Sequence, residues 1–186
     1  ECGYDYVEIS IDASEEKIQR IYMSDEERKK LVDTMFEVGL PIRSMSVSAL
    51  TKYALGDSDP KIRHRGEEIL EKSIKLAADL GIRTVMVPGY DIYFGESTVE
   101  TKKYFLQNIK VGAQIAAREG VLLGFETMEN EFMNTTAKGA KYVSMVESPY
   151  LKIYPDSGNI TNAAVLHKHD VCEDLSIGKG NLIALH

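Results

Sequence analysis

Lys152-Ile153-Tyr154-Pro155-Asp156-Ser157-Gly158-Asn159 is the stretch that decides the fold of this chain. A short run rich in β-branched and aromatic residues stops at Pro155, Asp156 follows at once, and Ser157-Gly158-Asn159 reads as a turn. A strand ending there leaves a carboxylate at its mouth, on fixed backbone and within reach of water. Two further apolar runs end the same way, Val121-Leu122-Leu123-Gly124-Phe125 in Glu126 and Leu182-Ile183-Ala184-Leu185 in His186. Three strand ends bearing Glu, Asp and His point to a metal site.

The chain upstream supplies the setting for those ends. Tyr4 to Ile11 is strand-like, with a partly alternating pattern, and Pro41 to Ala49 alternates again. Between them, Ser14-Glu15-Glu16 and Ser24-Asp25-Glu26-Glu27 are helix starts with acidic first turns. The second opens a helix with Leu31, Val32, Met35, Phe36 and Val38 at helical spacing, closed by Gly39. Asp59-Pro60 caps a long helix ended by Gly81, and Ile82 to Val87 is the next strand, stopped by Pro88-Gly89. A helix over about 97–118 leads into the strand at 121–126, and another over about 135–146 leads into the strand Tyr150–Tyr154. A broken helical region across 161–175 precedes the last strand.

Six strands in βα alternation predict a parallel sheet with right-handed crossovers. Such a sheet is either doubly wound or part of a (β/α)₈ barrel. No Gly-x-Gly-x-x-Gly or phosphate-loop pattern follows any strand, which weakens the nucleotide-binding alternative. Barrel chemistry sits at the C-terminal ends of the strands, where the candidate ligands lie. The reading is therefore an α/β TIM barrel, with all 186 residues in a single, partial domain.

Composition narrows the function. A hydrophobic content of 44% with 27% charged residues is globular rather than disordered. The net charge of −7 argues against nucleic acid, because phosphate binding needs a basic face. The basic stretch Lys61-Ile62-Arg63-His64-Arg65 is short enough to be one solvated helix face. No apolar run approaches the ~20 residues of a membrane helix. Cys2 and Cys172 fit reduced thiols, so the expected setting is cytoplasmic. Glu1 is not a natural start and His186 stops in mid-strand, so the sequence reads as an excerpt of a longer protein.

Each candidate residue also has a plainer reading. Glu126 follows four apolar residues, and a charge at that depth needs a partner or a metal. Asp156 alone also fits a helix cap, and a lone His186 would say little. Together, one imidazole and two carboxylates suit Mn²⁺, Zn²⁺ or Co²⁺ better than Ca²⁺. Glu8 on the first strand reads as a buried, paired carboxylate. His167 and His169 read as solvent-facing. Tyr90, Asp91 and Tyr93 follow the Pro88-Gly89 break on the same rim; lining a pocket, stacking and capping explain them equally well.

With these residues in hand, the chain resembles the xylose-isomerase-like barrels. Within them it is most similar to the L-ribulose-5-phosphate 3-epimerases, also described as hexulose-6-phosphate isomerases. The resemblance rests on YDYVEISID at 4–12, IRSMSVSA and YALGD within 42–57, VPGYDIY at 87–93, and the Glu126 strand with Met133-Asn134. YPDSGN at 154–159 and IALH at 183–186 complete the series. It implies a divalent metal held by Glu126, Asp156 and His186, with a second Glu on a further strand. It implies too that Asn159 contacts substrate. Family members begin with another strand and helix before Tyr4, so the six strands correspond to the second through seventh of eight. Where relatives carry a histidine and arginines after Ser48-Ala49, this chain has Leu50-Thr51-Lys52, which leaves Lys52 to supply charge toward a phosphate.

The implied reaction is C3 epimerisation, interconverting L-ribulose 5-phosphate and L-xylulose 5-phosphate. Glu126 serves as one acid–base group, and no redox cofactor is needed. The implied partner is a small sugar phosphate, with a homodimer left open. An aldose–ketose isomerase, a related dehydratase and a non-catalytic sugar-binding remnant remain alternatives, since fold does not dictate reaction. Six strands cannot close a barrel built for eight, so the segment alone is expected to have open edges, to bind metal weakly and to be inactive.

Overall fold

The computed structural model describes residues 3–186. Cys2 therefore lies outside the described residues, and Cys172 is an exposed free thiol. Five parallel strands form one sheet: β1 (Val7–Ser10), β2 (Ile42–Ser46), β3 (Thr84–Pro88), β4 (Leu122–Glu126) and β5 (Leu151–Tyr154). Their spatial order is their sequence order, β1-β2-β3-β4-β5. A doubly wound sheet needs a reversal of order, and none occurs here. Same-sense helical crossovers in unbroken order wind the sheet toward a barrel.

The connections are α1 (Glu15–Ile18), a 3₁₀ turn and α2 (Asp25–Val38) before β2, α3 (Pro60–Asp79) before β3, and α4 (Val99–Glu119) before β4. α5 (Thr136–Val146) precedes β5, and α6 (Ser157–His167) with α7 (Val171–Ile177) follows it. The helix boundaries obey local signals. Ser24 and Glu27 form a reciprocal capping box at the start of α2, and Asp59 caps α3 with Pro60 in its first turn. Gly39, at φ 66°, ends α2 in the left-handed region.

Alternation along the strands separates two faces. Met45, Val85, Leu123 and Leu151 point outward, as do Val87, Phe125 and Ile153, and all are fully buried under the helices beside Ile69, Ile74 and Ile109. Phe105, Phe125, Phe132 and Tyr142 meet edge-on or tilted in this layer, with centroids 5.0–6.5 Å apart. Ser44, Ser46, Met86, Gly124, Lys152 and Tyr154 take the other face, toward the lumen. α2 contributes less to the core than its spacing suggests. It has no fully buried residue, and Phe36 is 82% exposed.

Two expectations are corrected. The last apolar run does not form a sixth full strand, although it runs parallel to β5. Ile153 donates to Asn181 at 2.8 Å, Ile183 donates to Ile153 at 3.0 Å, and only Leu182 makes a β-bridge. The next donor on β5 would be Pro155, which has no N–H, so the ladder breaks there. It resumes one residue out of step, with His186 donating to Pro155 at 2.7 Å and accepting from Ser157 at 2.9 Å. Ser157-Gly158-Asn159 is likewise not a free turn but the first turn of α6, because Asp156 caps it.

Candidate metal centre

Glu126 closes β4, Asp156 follows Pro155 after β5, and His186 stands beside them on the resumed ladder. Each offers one ligand atom, and the three atoms lie within 4.8 Å of one another. His186 Nδ1 is 3.0 Å from Glu126 Oε1 and 3.4 Å from Asp156 Oδ2. The Tyr154 ring and the imidazole meet in a T-shaped arrangement at a centroid distance of 6.1 Å. The carboxylates are mostly enclosed, with side chains 13% and 22% exposed, whereas the imidazole is 47% exposed.

Burial pushes the Glu126 carboxyl above its ordinary pKa. His186 opposes that push, and the neighbouring negative charges of Asp156 and Glu8 add to it. A half-buried pair of carboxylates sharing one imidazole is short of positive charge, and a divalent cation would supply it. The donor set, one nitrogen and two oxygens at strand ends, fits a borderline divalent ion.

The backbone around the centre is held by Asn159 and by Thr127 and Gly89, which sequence reasoning did not single out as site residues. The Thr127 side chain is fully buried, and its Oγ1 accepts from the Asp156 N–H at 2.9 Å. Asn159 donates its side-chain amide to the Thr127 carbonyl at 2.9 Å and its backbone N–H to Asp156 Oδ1 at 2.6 Å. One Asp156 oxygen is thus tied to α6 while the other faces His186. Gly89 donates to the Glu126 carbonyl at 3.0 Å. A Cβ at Gly89 would come within 2.5 Å of that oxygen, so only glycine lets the β3 loop approach β4 so closely. The available signal was position: Thr127 and Gly89 directly follow strand-end residues.

Other predicted residues are placed differently. Asn159 lies at the centre, but its amide nitrogen is engaged by Thr127. Tyr90 is only 5% exposed, and its hydroxyl donates to Glu129 at 2.5 Å. Burial first, then Glu129, raise its pKa, so the phenol stays protonated. Its ring packs edge-on against Tyr93, and Asp91 is fully buried, accepting from Ser97 and Thr101. Stacking and capping contacts are thus both present in this loop. Lys52 is exposed at the end of the 3₁₀ turn after β2, its ammonium 5.2 Å from the Tyr53 ring centroid. His167 and His169 are not simply solvent-facing. Their rings stack, His167 Nε2 lies 3.3 Å from Asn134 Nδ2, and His169 Nε2 is buried. Glu8 is exposed to the lumen rather than buried, and it accepts from Ser44 Oγ at 2.6 Å. No helix among the described residues is long and apolar enough to cross a membrane.

Comparison with known proteins extends this picture. The profile described as xylose isomerase-like TIM barrel matches residues 1–186. The L-ribulose-5-phosphate 3-epimerase UlaE of Shigella boydii serotype 18 is 35% identical over 184 residues, covering 99% of this chain and 63% of the relative. UlaE of Escherichia coli O139:H28 gives the same identity and coverage. Among solved structures, a D-psicose 3-epimerase determined in the presence of D-fructose superposes with a TM-score of 0.82 at 18% identity, over 99% of this chain and 63% of that one. An L-ribulose 3-epimerase superposes with a TM-score of 0.77 at 20% identity, over 99% and 59%. The structural likenesses establish the fold. The chain spans 63% of the length of the curated relatives it matches.

Proposed function

The chain belongs to the xylose isomerase-like TIM barrel family, and from that premise we propose that it is the metal-binding part of a sugar-phosphate 3-epimerase acting on L-ribulose 5-phosphate. The observation that carries the reading is the convergence of Glu126, Asp156 and His186 at the C-terminal strand ends, in a chain 35% identical to named L-ribulose-5-phosphate 3-epimerases.

The residues divide the work. Glu126, Asp156 and His186 would hold the cation, Mn²⁺, Zn²⁺ or Co²⁺. When bound, that ion supplies Lewis-acid polarisation of the ketose C2 oxygen. Glu126 takes the proton from C3, so the C–H electron pair passes into an enediolate on the sugar and the carboxylate becomes a carboxylic acid. Asp156 stays oriented by Asn159 and Thr127 while Glu126 changes protonation state. Inversion requires a proton returned to the opposite face by a second acid, which the family resemblance assigns to a strand beyond residue 186.

The test follows L-ribulose 5-phosphate in D₂O with the full natural chain, with and without Mn²⁺ after chelation. The reading expects L-xylulose 5-phosphate with deuterium at C3, lost on chelation. Label at C1 would identify an aldose–ketose isomerase instead, and absence of both turnover and sugar binding would overturn the enzyme reading.

A further inference from the structure

Glu8 has no role in the chemistry above, yet it faces the same lumen. The pairing of β1 with β2 shifts register immediately before it: Val7 lies opposite Ile42, but Glu8 lies opposite Ser44, and Arg43 is skipped. Without that bulge Glu8 would pair with Arg43. With it, Glu8 is turned onto the inward face beside a serine. Among the described residues the ion pairs lie elsewhere and none includes Glu8.

The height of Glu8 in the barrel follows from register. Glu8, Ser44, Thr84 and Leu122 lie on one hydrogen-bonded row. In an eight-stranded barrel of shear 8, a common level moves by about one residue per strand along such a row. Glu8 then shares a layer with Met86 and Tyr154, and Glu126 stands about one residue above it. The fixed right-handed twist of parallel strands sets that direction. Glu8 thus lies on the floor beneath the centre and across the lumen from it.

We propose that Glu8 is a specificity-determining residue of this site, accepting hydrogen bonds from the hydroxyls of the neutral end of the sugar and excluding its phosphate from the floor. This rests on the sugar-phosphate reading above. An ionised carboxylate only accepts, at about four lone-pair positions, and Ser44 uses one. The remaining positions call for donors. Sugar hydroxyls provide them, whereas a phosphate offers further negative charge. A 2-ketose 5-phosphate is therefore oriented with its C1 hydroxyl toward Glu8 and its phosphate toward the outer rim.

The experiment uses the full natural chain loaded with Mn²⁺ and measures calorimetric affinity for L-ribulose 5-phosphate and its 1-deoxy analogue. Glu8→Ala is compared with Glu8→Gln, whose amide oxygen still accepts. Glu8→Ala is expected to weaken L-ribulose 5-phosphate binding roughly ten- to a hundredfold, the scale of a hydrogen bond to a charged group. Glu8→Gln is expected to recover part of that loss. The 1-deoxy analogue should bind wild type and Glu8→Ala alike, because the hydroxyl and its acceptor form one interaction. Mn²⁺ affinity should fall far less than sugar affinity, as expected for a residue outside the ligand set whose charge reaches Glu126 only weakly. Unchanged sugar affinity in Glu8→Ala, additive losses with the 1-deoxy analogue, or a parallel fall in Mn²⁺ affinity would each overturn the assignment. If wild type binds neither sugar, the functional reading fails and this inference with it; a deficit confined to the Glu8 comparison leaves that reading standing.

Discussion

Thr127→Val tests whether the metal centre depends on the backbone that holds Asp156. Valine keeps the shape of a fully buried side chain but removes the oxygen that accepts the Asp156 N–H at 2.9 Å. A buried donor left without a partner costs about 1–3 kcal/mol. In a chain of 186 residues, each kcal/mol lowers Tm by about 2–4 °C, so a fall of roughly 2–12 °C is expected. The larger consequence falls on Asp156. Its Oδ2, the proposed ligand atom, faces His186 while its backbone and Oδ1 are tied down by Thr127 and Asn159. Loss of such an outer contact weakens metal binding by about 10–100-fold. Thr127→Ser keeps the hydroxyl and loses one buried methyl, so it should cost about 1 kcal/mol of stability and leave metal affinity near wild type. Thermal unfolding without cation and Mn²⁺ titration of all three proteins are the assays. Valine and serine variants with the same Mn²⁺ affinity would refute the argument, whatever their Tm values.

Glu126→Gln keeps the volume of the side chain but removes the base, so turnover should fall about 10²–10⁴-fold with a smaller change in substrate affinity; steady-state kinetics at saturating metal would read this. Because burial raises the Glu126 carboxyl pKa, the metal-free fold binds that proton more tightly than the unfolded chain does. Its contribution to stability is present below the ordinary glutamate pKa and is lost as pH rises through the raised value. Without cation, Glu126→Gln should therefore unfold at a higher temperature than wild type at neutral pH, and Mn²⁺ should stabilise wild type more; melting curves across pH would show it. Asp174→Ala removes a nearly buried carboxylate that accepts from Thr136 and Ala137 at 2.7 and 3.1 Å. A loss of about 1–2 kcal/mol is expected by chemical denaturation, without loss of Mn²⁺ affinity.

Sequence alone was enough for most of what residues a few positions apart govern, the Asp156 cap that makes Ser157-Gly158-Asn159 the first turn of α6 being the exception. The Ser24–Glu27 capping box, the Asp59-Pro60 start, the glycine stop at Gly39 and the outward apolar positions of β2 to β5 are satisfied within one turn or one pleat. The order of βα units then limits the topology, because same-sense crossovers leave few arrangements. Glu126 and Asp156 were legible for the same reason, since each directly follows an apolar strand pattern.

Tertiary structure decided what depends on pairing between distant segments. His186 meets Glu126 across 60 residues of sequence, and the intervening chain does not encode that distance locally. Pro155 interrupts a ladder only because residues 181–186 lie beside it. Tyr90 is turned inward by a Glu129 on the next loop, and Asn159 serves a carbonyl on the neighbouring strand end. Glu8 faces the lumen because a bulge lets its strand skip Arg43. Register, bulges and tilt are properties of two chains of hydrogen bonds meeting, so they enter only when the strands pair.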